Sequence, residues 1–545
     1  MSVRLRVSAA LALAVVPVAA RAAEPDPDQV AADKLAAIID RHLAADWEAR
    51  GIKPAAAADD GEFCRRVYLD LIGRAPKASE ARAFLDDPDP AKRIKLVERL
   101  MSTPSHANYF AATARTAWLP QSATNIQLIQ FGVQVENWLR TQYQQNVPAD
   151  VVIRKILTVK FRAQPVRGPN QIRIVQGDPG DPESQALAAF YSANEGKPEN
   201  LGAAVSRLFL GVRLECAQCH DHPFAPYTKE QFWEFAAFFA ELNPLPNIRP
   251  STNGPQSPQA ERNRLTIPNT TQEVVAKFFD GTDPNWQPDR SPRQELADWL
   301  TSPNNPYFAK NLANRTWAHF FGLGIIDPVD EPRDDNPASH PALLEELARE
   351  FAAGKFDNRL LIRAITRSKA YQLTSKMTHP TQADGRRFAR MNLKGMTPSQ
   401  LFDTLVVTTG YREPANFRNN QFAGINRTGD PRSQFLTRFA SNEKRTETNT
   451  TILQALMMMN GEFIGTQTDL ERSEVLGAIA DMPGWTTQQK VEALFLTSLS
   501  RRPTPEEMEK FSSYVDRGGA NGDKKKALAD VFWVLLNSPE FLFNH

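Results

Sequence analysis

The sequence predicts a mainly α-helical protein, built as two helical domains with small irregular or β insertions and with related helical units near both ends. Three observations predict it. Apolar residues recur at helical spacing through most of the chain, as in Leu35, Ile38, Ile39 and Leu43. Alternation with period two is confined to brief stretches such as Arg264-Leu-Thr-Ile267. A segment near the N-terminus returns near the C-terminus, and self-similarity of that kind marks one packing unit used twice.

The chain opens with two arginines, an Ala/Leu/Val run from Val7 to Ala20, and small residues at Ala20 and Ala22 ahead of the acidic, Pro-rich stretch Glu24 to Asp28. This is the pattern of a secretory signal peptide, residues 1–22, too short to span a bilayer. No later stretch approaches about 18 apolar residues, so no membrane span is expected after signal removal, and the expected location is periplasmic or otherwise extracytoplasmic. With 64 basic against 63 acidic residues, the charge balance gives no general attraction to nucleic acid. Three cysteines in 545 residues are too few for a disulfide framework, so the fold must rest on its apolar core.

A helical lead-in occupies 23–60, its pattern running from Gln29 to Ala57 with a loose break at Ala55 to Asp60. The first helical domain, 61–243, begins with a helix through Phe63, Val67, Leu69, Leu71 and Ile72 that ends at Gly73, and another opens after Pro76. The lone Cys64 on that first helix reads as a buried thiol. Between Phe161 and Asp181 the helical period lapses around a short strand, Ile172 to Gln176. Helix resumes at Asn200 and runs to Arg213. Thr228-Lys-Glu-Gln231 is a capping box, opening a helix whose stripe of Phe232, Trp233, Phe235, Phe238 and Phe239 reads as core. A Pro/Asn/Ser-rich junction at 244–292 precedes the second helical domain, 293–545, with helices at Leu296 to Leu300, Phe308 to Phe321, Pro341 to Phe351 and Leu360 to Leu373, and a long polar loop at Pro414 to Gln434. The internal repeat pairs Tyr68-Leu-Asp-Leu-Ile-Gly-Arg-Ala-Pro76, followed by Glu80 and Phe84, with Phe495-Leu-Thr-Ser-Leu-Ser-Arg-Arg-Pro503, followed by Glu507 and Phe511. Leu100-Met-Ser-Thr-Pro-Ser-His-Ala-Asn-Tyr109 likewise parallels Leu536-Asn-Ser-Pro-Glu-Phe541.

Two of the three cysteines form Cys216-Ala-Gln-Cys219-His220. In exported bacterial chains Cys-x-x-Cys-His attaches haem c covalently: the two thiols add to the vinyl groups, and the adjacent histidine ligates iron. Two other chemistries fit the same residues. Cys216, Cys219, His220 and His222 form a set that could bind zinc or iron, and Cys216 with Cys219 could close a short disulfide in an oxidising compartment. Candidates for a distal iron ligand are His319, His340 and the run Met457-Met458-Met459; each also has a plainer reading, as core or as the flank of a helix start.

Longer segments carry a resemblance. Arg65 to Arg74, Leu208 to Phe224, Leu296 to Tyr307, Asn314-Arg-Thr-Trp-Ala-His-Phe-Phe-Gly322, Ser339-His-Pro341 and the closing Leu535 to His545 together resemble the planctomycete-type cytochrome-like secreted proteins, in which domain of unknown function fifteen-forty-nine is followed by domain of unknown function fifteen-fifty-three. The resemblance covers nearly the whole mature chain. It implies that Cys216, Cys219 and His220 are the haem or metal element, continued by Asp221 and His222, and that Arg315, Trp317, His319 and His340 are recurrent positions of the second domain, expected to line the same cleft. It also implies a secreted sulfatase-like companion protein or a periplasmic redox partner. The expectation is an extracytoplasmic electron-transfer protein, linked to oxidative breakdown of complex carbohydrate. The alternatives are a zinc- or iron-dependent enzyme and a non-catalytic scaffold for the companion.

Overall fold

The computed structural model describes residues 26–123, 125–163, 173–242, 263–287, 289–333, 335–412, 431–439 and 462–545. The signal-peptide segment and the Met457 to Met459 run lie outside the described residues. The chain is mainly α-helical. In the first half α1 (Pro27–Ala49), α2 (Asp60–Ile72), α3 (Ala78–Asp86), α4 (Lys92–Met101), α5 (Pro104–Trp118), α6 (Ile126–Gln144), α7 (Ala149–Thr158), α8 (Pro182–Ala193), α9 (Pro198–Val205) and α10 (Lys229–Ala236) follow one another. In the second half come α11 (Pro292–Leu300), α12 (Phe308–Phe321), α13 (Pro341–Ala353), α14 (Asn358–Arg367), α15 (Lys369–Gln372) and α16 (Pro398–Thr409). The later helices are Pro431–Phe439, Glu462–Gln467, Glu474–Asp481, Thr487–Leu499, Pro505–Asp516, Lys524–Leu536 and Pro539–Leu542.

The strands described are short antiparallel pairs: β1 (Arg162–Ala163) with β2 (Val175–Gln176), β3 (Arg264–Thr266) with β4 (Glu273–Val275), and β5 (Lys394–Gly395) with β6 (Phe543–Asn544). The expected strand at Arg264 is therefore present, and the one near Ile172 is confined, among described residues, to Val175–Gln176. The polar stretch 414–434 is not loop throughout, because its last residues open the helix Pro431–Phe439. Pro431 fits the first turn of a helix, where its missing N–H costs nothing.

Apolar burial forms two cores. The larger, among the described residues, draws on positions from Ala32 to Met391 on both sides of the 244–292 junction, joining Phe238 and Leu242 to Leu265, Phe279, Leu296 and Trp317. The smaller is made of residues from Leu401 to Phe541. α1 explains part of the first core's reach, since Leu35, Ile38, Ile39, Leu43 and Trp47 bury one face and α1 packs against α13 and α14. Trp47 donates its indole N–H to Arg387 O at 2.8 Å. α1 ends at Ala49, eight residues short of the helical pattern's end at Ala57, and the stretch after it is not loose. Ala55 N donates to Ala389 O and Ala58 N to Gln372 O, both at 2.8 Å, so backbone bonds to the second half replace helix there.

The repeat is a repeat of structure. Asp59 and Thr486 cap helices of equal length, α2 and Thr487–Leu499, each accepting the N–H of the third helical residue. Both helices close on a left-handed residue, Gly73 (φ 74) and Ser500 (φ 63). Arg74 then clamps Glu80 through two hydrogen bonds, of 2.9 and 3.1 Å, and Arg501 clamps Glu507 through two, of 2.7 and 2.9 Å. In each unit the same carboxylate accepts the backbone N–H that opens the next helix, from Lys77 or Thr504, at 2.8 Å. The units also touch: fully buried Arg65 donates to Ser498 O and Phe541 O at 3.0 and 2.7 Å. Cys64 is buried between neighbours on α2, as its apolar face requires.

Candidate functional site

The cysteine motif is delivered by a helix that ends abruptly. α9 passes into a π-helical turn, Ser206–Leu210, which Gly211 closes in the left-handed region (φ 71). A Cβ on Gly211 would sit 2.7 Å from Asn311 Oδ1, so both its conformation and its neighbour require glycine. The helix read as continuing to Arg213 thus stops at Leu210. Four residues beyond Gly211, the single 3₁₀ turn Glu215–Gln218 begins and carries Cys216.

Cys216 and Cys219 are both exposed free thiols, whereas Ala217 between them is fully buried and roots the turn. Beneath the turn, Trp233 donates its indole N–H to Gln218 O at 3.1 Å. The aromatic stripe is core: Phe232, Phe235, Phe238 and Phe239 are almost wholly buried, and Trp233 alone of the five hydrogen-bonds back to the turn. Asp221 Oδ1 accepts the N–H of Lys229, the first residue of α10, at 2.8 Å, and the Thr228/Gln231 capping box satisfies two further donors there. The loop after the motif is therefore tied to a helix start.

The two histidines are in opposite tautomers. His220 Nδ1 lies 2.7 Å from Asp221 O; a carbonyl can only accept, so Nδ1 carries a proton, and in the neutral ring the lone pair is on Nε2. His222 Nδ1 accepts the N–H of Phe224 at 3.1 Å, which puts its proton on Nε2. Burial, with help from Arg333, holds the His222 imidazole below its ordinary range. His220 is ready to bind a metal ion through Nε2, and His222 is not while that bond holds. Among the described residues no three His, Cys, Asp or Glu side chains converge as a metal cage, so the set Cys216, Cys219, His220 and His222 is contiguous without being gathered.

Charged side chains from elsewhere flank the turn. Arg213 bonds both oxygens of Asp330, at 3.2 and 3.3 Å, and Glu331 at 2.8 Å. Arg207 Nε lies 3.3 Å from Glu215, whose carboxyl burial pushes above the usual range. Arg333 lies over the ring of Phe224, 5.6 Å from its centroid, and Phe224 is 68% exposed. Sequence reading missed Asn311, Asp330, Glu331 and Arg333, because a separation of more than a hundred residues leaves no periodic or spacing signal.

Of the recurrent second-domain positions, Arg315 reaches the segment that carries the motif: its guanidinium donates to Arg207 O at 2.7 Å. Trp317 is fully buried and stacks on Phe321. His319 Nε2–H donates to Asp70 O at 2.8 Å and packs among Tyr109, Phe110 and Phe320. His340 is buried beside Asp46, Ser339 and Phe388. The hydrogen bonds and ring contacts of His319 and His340 thus go to these partners and not to Cys216, Cys219 or His220.

The fold and the turn define a mainly α-helical protein that presents an exposed Cys-x-x-Cys-His element on a buried, hydrogen-bonded base. Residues 38–244 match the PSCyt2 family, a protein of unknown function (DUF1549), and residues 292–427 and 432–515 match PSD1, a protein of unknown function (DUF1553). The chain belongs to the family in which these two domains follow one another in that order. No curated protein and no solved structure gives a match.

Proposed function

We propose that this protein is an extracytoplasmic, c-type cytochrome-like electron carrier, in which Cys216 and Cys219 would hold haem c by thioether bonds and His220 would ligate its iron. One observation carries the reading: two free, exposed thiols share a turn with a histidine whose Nδ1–H is fixed on a backbone carbonyl, the arrangement that orients an imidazole for iron through Nε2. Bound haem supplies one-electron oxidation and reduction. The chain supplies the rest: Ala217, the Trp233 indole and the Asp221 carboxylate fix the turn, and the Asp221 carbonyl sets the His220 tautomer.

A surface position suits exchange of electrons with a partner that docks from solvent, and a periplasmic redox partner or a secreted sulfatase-like companion is the kind proposed. The family name of the first domain, PSCyt2, agrees with a cytochrome-like role. No described helix is long and apolar enough to cross a membrane. A protein purified from a host with a working cytochrome-maturation system should give a pyridine haemochrome spectrum and a Soret band that survives denaturation. A colourless product would overturn the reading.

The Nε2 of His220, left free by the Nδ1 bond, also favours a second reading, in which His220 and the two thiolates would hold zinc or iron, which would supply a Lewis acid. Stoichiometric metal lost to a chelator, without a Soret band, is its signature.

A further inference from the structure

We propose that Arg315 and Asn311, both on α12 in the second family domain, are positioning residues for the cysteine turn carried by the first; the inference rests on the reading of that turn as a cofactor site. A helix end leaves carbonyls without intrahelical partners, and the π-helical turn Ser206–Leu210 is such an end, four residues before the motif's own turn. Only the Ser206 carbonyl is recovered locally, by Val212 N–H at 3.1 Å. The next two are taken from across the domain boundary: Arg315 donates to Arg207 O and Asn311 Nδ2 to Leu208 O, both at 2.7 Å.

The two α12 residues act as a unit. Arg315 Nε donates to Asn311 Oδ1 at 2.9 Å, which fixes the amide so that its NH2 faces Leu208 O. The same Oδ1 lies 2.7 Å from where a Cβ on residue 211 would be, so Gly211 is the matching half of the contact. The side chain of Arg207 continues the chain of contacts to Glu215, the residue before Cys216. Further along, Asp330 and Glu331 hold Arg213, and Arg333 covers Phe224, so second-domain groups grip the motif's segment on both sides.

Arg315 also places charge there. Its hydrogen bonds go to a backbone carbonyl and a neutral amide, and Asp330 acts on it through space, so among the described residues no ion pair cancels its cation. Burial lowers its pKa to about 10, which leaves it charged at neutral pH. A buried cation near an iron centre disfavours the oxidised, more positive state and so raises the midpoint potential.

The test compares the full-length wild-type chain with Arg315→Met and Arg315→Lys, and with Arg502→Met as a control for losing an arginine elsewhere. Hydrogen exchange is read in residues 206–219 and in the helix Lys524–Leu536, and the midpoint potential is read on whatever protein carries haem. The expected result for Arg315→Met is faster exchange in 206–219 by roughly tenfold, unchanged exchange in Lys524–Leu536, and a lowered potential. Arg315→Lys keeps the charge and should restore the potential while recovering only part of the protection, since an ammonium cannot serve both acceptors in the guanidinium's geometry. Unchanged exchange in 206–219, an equal rise in both segments, or a wild-type potential in Arg315→Met overturns the proposal. If the wild-type chain carries no haem, the cytochrome reading falls alone, and the exchange pattern still decides whether α12 positions the turn.

Discussion

At the scale of single residues the firmest polar structure is at Asp70 on α2. Its carboxylate is fully buried and accepts from Lys394 Nζ at 2.7 Å, Asn544 Nδ2 at 2.7 Å and Tyr371 OH at 2.9 Å, while its carbonyl takes His319. One side chain thus ties α2 to β5, β6 and α15. Removing one partner of a buried ion pair leaves the other charge unpaired, so Asp70→Ala should cost about 3–5 kcal/mol in denaturant unfolding, and Asp70→Asn less. A loss below about 1 kcal/mol would show that Lys394 finds another partner. Cys216, Cys219 and His220 were legible in the sequence because they form a short contiguous motif of fixed spacing. Asp70 was not: it reads as one polar residue in an apolar helix until Lys394 and Asn544 arrive from hundreds of residues away. His319 and His340 drew notice as nitrogen ligands, but their hydrogen bonds go to Asp70 O and to Ser339, facts of packing that no local pattern encodes.

At the scale of elements the two repeat units make a controlled comparison. Both helices end on a left-handed residue, and the first unit uses Gly73, where a Cβ would meet the Tyr109 ring at 2.3 Å. The second uses Ser500, whose hydroxyl is buried without a hydrogen-bond partner. A side chain in that region costs about 1–2 kcal/mol. Ser500→Gly should therefore stabilise the protein by about 1 kcal/mol, after the extra freedom glycine gives the unfolded chain, and Gly73→Ala should destabilise it by more. Thermal midpoints that move in the same direction for both would contradict the equivalence. The repeat was visible in the sequence because the Arg/Glu clamp and its turn need fixed residues. The helix boundaries were visible where a cap or a left-handed stop marks them, as at Gly73 and Thr228. They were misplaced at Ala49 and Leu210, where left-handed glycines, Gly51 (φ 63) and Gly211 (φ 71), stop the helix while apolar residues continue its pattern beyond them.

At the scale of the whole molecule, acid should weaken the fold before its carboxylates are protonated. Burial lowers the pKa of His106 from an ordinary 6.5 to about 4, and burial shifts His340 and His545 the same way. The unfolded chain then takes up protons first as the pH falls. The contribution is complete above pH 6.5 and is lost toward pH 4, amounting to about 3 kcal/mol for His106 alone. His106→Gln, which can still donate to Leu71 O, should flatten the decline in thermal midpoint between pH 7 and pH 5; an unaltered slope would remove His106 from the account. The continuous core anchors the turn: α12 of the second domain and α10 of the first share the apolar cluster that holds Ala217. The most direct measurement of the central claim is the intact mass of the mature protein from a maturation-competent host. The account predicts one covalent haem in the wild-type chain and none in Cys216→Ala/Cys219→Ala of equal thermal midpoint. Bare polypeptide mass in the wild type would contradict it.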